Sequence, residues 1–164
     1  MIGAMESYRI FLFLHIIAAI VALGAAFALP FLQGFCERQG VAATRLYLRF
    51  LQRLSMMLIW PGYVLVAVFG TALIFDDRTG YRDDFPRWLE FAIPWYLFIV
   101  VLDLFVMRRM VRDSLAALES ATDDQSLPVA YVGIGRNMQI VGGLMGLSVM
   151  GVAALMVWGA EGGF

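Results

Sequence analysis

Two ionisable residues stand within otherwise uncharged stretches of this chain, and any chemistry would start from them. His15, the single histidine, follows shortly after the start of the run Ile10 to Phe35, which carries no charge. An imidazole roughly 8 Å into an apolar helix needs a hydrogen-bond partner or a ligand. Its own helix places only Ala18 and Ala19 at the next turn, so a partner must come from elsewhere. Thr71, Glu90, Trp95 and Tyr96 fall at comparable depth, and His15, Trp95 and Thr71 form the candidate cofactor site. The chemistry on offer is axial ligation of a haem b or hydrogen bonding to a quinone carbonyl. The plain reading is an interhelical hydrogen bond with no cofactor. With one histidine, haem ligation from both sides would need a second copy, a partner protein or a methionine.

Asp103 interrupts the third apolar stretch, Phe91 to Met107. A carboxylate in a membrane helix is costly unless paired or wet, and is a functional candidate by default. Arg136 enters the fourth stretch from the same end, so depth suggests a structural Asp103–Arg136 pair, with Asn137 and Gln139 completing the network. A proton or ion pathway is the alternative. His15 and Asp103 lie toward opposite ends, which argues against a catalytic His–Asp pair. No C-x-x-C, H-E-x-x-H or phosphate-binding glycine loop occurs. Ser55, Ser148 and Cys36 have no local base, and no catalytic or metal-binding set emerges. Gly133 and Gly135 before Arg136 lack the rest of a nucleotide fingerprint.

The elements that must position these residues follow from composition. Of 164 residues, 62% are hydrophobic and 15% charged, against about 25% charged in soluble domains; the mean hydropathy is +0.80. A net charge of -1 argues against nucleic-acid binding, and one cysteine allows no disulfide within the chain. Four stretches, Ile10 to Phe35, Leu54 to Phe75, Phe91 to Met107 and Asn137 to Gly159, have the length of membrane helices. The first is too long for a signal-peptide core and reads as a retained helix. The expectation is an all-α, polytopic membrane protein: one domain over 1–164, folded as a compact four-helix bundle.

All 12 basic residues are arginine. Arg38, Arg45, Arg49, Arg53, Arg108, Arg109, Arg112 and Arg136 fall at one end of such a bundle, and Arg9, Arg78, Arg82 and Arg87 at the other. The positive-inside rule makes the richer end cytoplasmic and puts both termini outside, in the periplasm or beyond the cell. Val41 to Arg53 reads as a helical continuation lying on the inner surface, with Leu46, Leu48, Phe50 and Leu51 at the interface. Ala121 to Pro128, with its Thr122-Asp123-Asp124-Gln125-Ser126 core, reads as a turn or loop.

Helix packing in lipid favours small residues. Gly142 and Gly146 are spaced G-x-x-x-G, the first helix offers Ala18, Ala22, Ala25 and Ala26 with Gly24, and the second offers Gly62, Ala67 and Gly70. Pro61 and Pro94 should kink the second and third helices. Trp88 and Trp158 read as interface anchors, while Trp95 lies deeper and is expected to pack toward His15.

The stretch Phe13-Leu14-His15-Ile16-Ile17-Ala18-Ala19 through Leu29-Pro30, with Ile59-Trp60-Pro61-Gly62, Gly70-Thr71, Arg87-Trp88-Leu89 and Ala154-Leu155-Met156-Val157, resembles a bacterial family of predicted integral membrane proteins, the domain of unknown function 2269. That resemblance implies the bundle but no activity. The opening helix also resembles the membrane protoporphyrinogen oxidase and the D-type copper-resistance membrane proteins, which would imply haem or metal contact at His15. The chain departs from the oxidase pattern after Trp88-Leu89, where Glu90-Phe91-Ala92-Ile93 contains no lysine, and it has no second histidine near the end of helix one. The functional expectation is an accessory or structural subunit of the bacterial inner membrane, surrounded by lipid and associated with itself or a larger complex. A haem- or quinone-binding redox protein is the alternative, and a small-solute or ion transporter the second.

Overall fold

The computed structural model describes residues 2–122 and 126–160. Their secondary structure is helical, in four long segments. Span one joins α1 (Ile2–Leu23) to α2 (Ala25–Arg38) at Gly24, whose N–H still donates to the Ile20 carbonyl at 2.9 Å, so the axis runs on with one loosened turn. Span two is α3 (Val41–Leu54), a π-helical turn over Ser55–Ile59 and α4 (Trp60–Ile74); span three is α5 (Arg87–Val101), a π-helical turn over Leu102–Met107 and α6 (Arg108–Leu118); span four is α7 (Val129–Ala160). Each segment is long and apolar enough to cross a membrane. Span one packs along span two, while α7 packs against α2, α5 and α6. The apolar perimeter, including Phe13, Ile20, Phe31, Val64, Phe98 and Leu147, is exposed. That surface suits lipid as solvent.

Span two is 34 residues long and therefore rises about 51 Å, against about 30 Å for the hydrocarbon core. The surplus lies at the arginine-rich end, and here the structure corrects the sequence reading. Val41 to Arg53 does not lie flat on a membrane surface but continues coaxially into span two, with helical dihedrals held through Leu54 (φ -59, ψ -43) and Ser55 (φ -56, ψ -49). Its apolar face, Val41, Tyr47, Leu48 and Leu51, is buried against α2 and α6 rather than in headgroups. With Val111, Leu118, Tyr131 and Met138 these apolar residues make a second core, separate from the membrane-level core around Ala22, Tyr63, Val66, Ile99 and Met145. Arg45 caps the end of α6, donating to the carbonyls of Leu118 (2.8 Å) and Ala121 (2.7 Å). Ala121, Thr122 and Ser126 to Pro128 are non-helical, as expected of a loop, and Asp123, Asp124 and Gln125 lie outside the described residues.

Spans one and two meet at small residues. A Cβ on Gly62 would stand 2.7 Å from the Ala22 Cβ and 3.2 Å from its Cα, so only glycine permits this approach. The G-x-x-x-G face of span four points inward. Gly142 and Gly146 are both buried, and a Cβ on Gly142 would meet Pro30 at 3.1 Å. Pro61 explains the π-turn before it. Its ring supplies no N–H to the Met57 carbonyl one turn earlier and crowds it, which favours a wider turn over Ser55–Ile59.

Candidate functional site

Three polar places are built into the bundle. The first surrounds His15 at the end opposite the arginines. His15 Nδ1 lies 3.0 Å from the Val66 carbonyl oxygen on α4. A carbonyl only accepts, so Nδ1 carries the proton, and in the neutral ring Nε2 is left with its lone pair. The ring rests on Gly70, where a Cβ would come within 3.0 Å of Cε1. Beside it is a largely apolar cavity of about 370 Å³ lined by His15, Tyr8, Thr71, Ala92, Tyr96 and Met156, among others. Over this end folds the 75–86 turn. Gly80 takes a left-handed φ of 64 there, and Thr79 Oγ1 donates to the carbonyls of Leu73 and Asp76. Tyr81 stacks edge-on against Trp88, and burial, with Tyr8 nearby, pushes its phenol pKa up.

The structure brings His15 and Thr71 to one cavity but not Trp95. The Trp95 ring lies against span four, where a Cβ on Gly151 would meet it at 2.7 Å. The direction around the helix sets it apart from the cavity. Tyr96, one residue on and about 100° around the helix, takes the place facing the cavity. Its hydroxyl donates to the Tyr63 carbonyl at 2.6 Å, and the two rings sit edge to face with centroids 6.4 Å apart.

Beyond this tyrosine pair lies the second polar place, a cavity of about 680 Å³ toward the arginine-rich end. Tyr63 lines it on one side of the pair, as Tyr96 lines the His15 cavity on the other. Asp103, 7% exposed, also lines it from the π-turn of span three, while Ser55 lines it from the π-turn of span two. The structure does not join Asp103 to Arg136: among the described residues Asp103 has no hydrogen bond or ion pair, and Arg136 is exposed on α7. The π-turn accounts for the difference, since the extra residue rotates what surrounds it relative to a regular helix. At the mouth, the Arg108 guanidinium lies 5.1 Å from the centre of the Trp60 ring. Arg109 and Arg112 both reach Asp113, at 3.6 and 3.4 Å.

The third place went unnoticed in the sequence. Glu37, at the end of α2, accepts from Gln33 Nε2 (2.8 Å) and the Tyr131 hydroxyl (2.6 Å) at Oε1, and from Gln139 Nε2 (2.7 Å) at Oε2. Gln33, 2% exposed, donates as well to the Gly135 carbonyl at 2.9 Å. This is the network that ties span one to span four, and Gln139 serves Glu37 rather than Asp103. The available signal was spacing: Gln33 and Glu37 stand one turn apart, as do Tyr131, Gly135 and Gln139 on the facing helix. Among the described residues no group of three histidine, cysteine or acidic side chains could hold a metal ion.

The family described as predicted integral membrane protein (DUF2269) matches residues 9–159 of the chain. No curated protein and no solved structure matches it significantly.

Proposed function

The chain belongs to the DUF2269 family of predicted integral membrane proteins, and we propose that it acts in the bacterial inner membrane as a non-catalytic bundle subunit, associated with itself or with a larger complex. Its eight-to-four arginine asymmetry supports a cytoplasmic arginine-rich end and termini outside. The observation that carries the subunit reading is the helical collar at that end. It has its own core and presents Leu46 and Phe50, 70% and 51% exposed, one turn apart on α3. Phe50 and Leu46 stand about 6 and 12 Å beyond the apolar stretch that begins at Leu54, near and past the edge of the headgroups. Lipid tails do not cover that face, and a protein surface would.

One observation favours a second reading. A histidine whose Nδ1–H is held by a carbonyl offers Nε2 in a fixed orientation, the arrangement found in ligating histidines. The cavity beside His15 is near the lower limit of small-molecule sites. It suits a quinone ring better than a porphyrin. A bound quinone would supply two-electron redox chemistry, and His15 would accept the quinol hydroxyl proton's hydrogen bond at Nε2.

Protein purified with its native lipids separates the readings. The subunit reading expects no haem bands in oxidised or dithionite-reduced spectra and no stoichiometric quinone on extraction. A stoichiometric haem or quinone, lost in His15→Ala with helicity retained, would overturn it in favour of the second.

A further inference from the structure

The cavity at the arginine-rich end holds two polar groups that the fold leaves unspent. Asp103 and Tyr63 are each 7% exposed, and among the described residues neither the Asp103 carboxylate nor the Tyr63 hydroxyl has a hydrogen-bond partner. Their oxygens are open to the cavity, since among the described residues only Ser114 Oγ is fully enclosed without a partner, and a carboxylate inside a membrane helix calls for water or a ligand. Around them the cavity provides the Trp60 ring, the Ser55 hydroxyl and the apolar side chain of Met56. Its volume of about 680 Å³ falls within the range of ligand sites.

The charged side chains that line the cavity divide by burial, Asp103 being buried and Arg108, Arg109 and Arg112 exposed. Arg109 and Arg112 are engaged by Asp113, and Arg108 is seated on Trp60. One Asp113 carboxylate against three arginines leaves the mouth net positive, whereas Asp103 is the only acidic side chain lining the cavity and is buried, so a cationic group is called for at Asp103 itself. The Tyr63–Tyr96 pair stands between this cavity and the one beside His15.

We propose that this cavity is a binding site for an amphiphilic primary amine, its ammonium group held by Asp103 and the Tyr63 hydroxyl and its apolar body against Trp60 and Met56. A carboxylate accepts charge-assisted hydrogen bonds from an ammonium. The site does not depend on the subunit reading. The same ammonium chemistry belongs to free amines and to the headgroup of phosphatidylethanolamine.

The test uses the full chain in phosphatidylcholine nanodiscs, with dansylcadaverine as the primary-amine probe and its N-acetylated form as the uncharged control. Saturable binding is expected for the amine, weakened about tenfold or more by acetylation or by Asp103→Asn. Asp103→Glu should retain binding within a few-fold, and Tyr63→Phe should weaken it by a smaller factor. Helical circular dichroism and elution volume verify that each variant is folded. Asp103→Asn removes a buried charge and keeps the side-chain shape, so it should remain folded. Discs containing phosphatidylethanolamine assign the source: competition with the probe points to the lipid headgroup, and no competition to a free amine. Equal binding of amine and acetylated probe, equal binding by wild type and Asp103→Asn, or no saturable binding would each overturn the proposal.

Discussion

Replacing Glu37 by leucine is expected to produce the largest loss of stability of any single polar substitution in this chain. The carboxylate accepts three hydrogen bonds, from Gln33, Tyr131 and Gln139. Its removal leaves the Tyr131 hydroxyl and the Gln139 amide without their acceptor, while Gln33 keeps only the Gly135 carbonyl. Orphaned donors cost about 1–3 kcal/mol each when buried, so for these two a total of about 2–6 kcal/mol is expected. Glu37→Gln keeps an acceptor and the shape, and should cost less. A double-mutant comparison sharpens the test. Tyr131→Phe should destabilise the wild type by about 1–2 kcal/mol but do almost nothing in the Glu37→Leu background, where its hydroxyl is already unpaired. Reversible unfolding in detergent micelles reads these differences. A Glu37→Leu protein that unfolds with wild-type stability would contradict the network's role.

The network was legible in spacing yet missed. The first uncharged run ends at Phe35, which placed Glu37 in a connection instead of on the last turn of a helix that continues to Arg38. Charge marks where an apolar stretch stops but not where a helix stops. The same limit explains α3, whose arginines suggested a surface segment although it is the coaxial end of span two. What was legible is the count of spans, their apolar centres and the small residues between them: Ala22 meets Gly62, and Gly70 makes room for His15. Pairings inferred from depth alone fared worse. Trp95 and Arg136 stand near the expected levels but face elsewhere, because rise along a helix says nothing about azimuth and two π-turns shift it further. Asp103 was recognised as unusual from sequence, but the tyrosine layer and the cavity behind it depend on which faces meet.

Gly62→Leu carries the second large effect. The Cβ alone would overlap Ala22, whose Cβ and Cα lie 2.7 and 3.2 Å from its position. Because the obstacle includes backbone, spans one and two must separate, disturbing the contact that also holds His15 to Val66. Overpacking of a tight core costs about 1–3 kcal/mol, and a leucine here should reach at least the upper value. Gly62→Ala should cost about 1–2 kcal/mol and recover part of it when Ala22→Gly removes the opposing methyl. Full stability of Gly62→Leu would mean that the two spans do not approach as described.

The subunit reading is tested most directly by native mass spectrometry of the chain released from membranes with its surrounding lipid, for wild type and His15→Ala. A stoichiometric protein assembly is expected, either a second copy or defined partner proteins, unchanged by His15→Ala and lost when charge is introduced on the collar by Leu46→Glu and Phe50→Glu. A lone chain carrying a haem or quinone mass that disappears with His15 would contradict it.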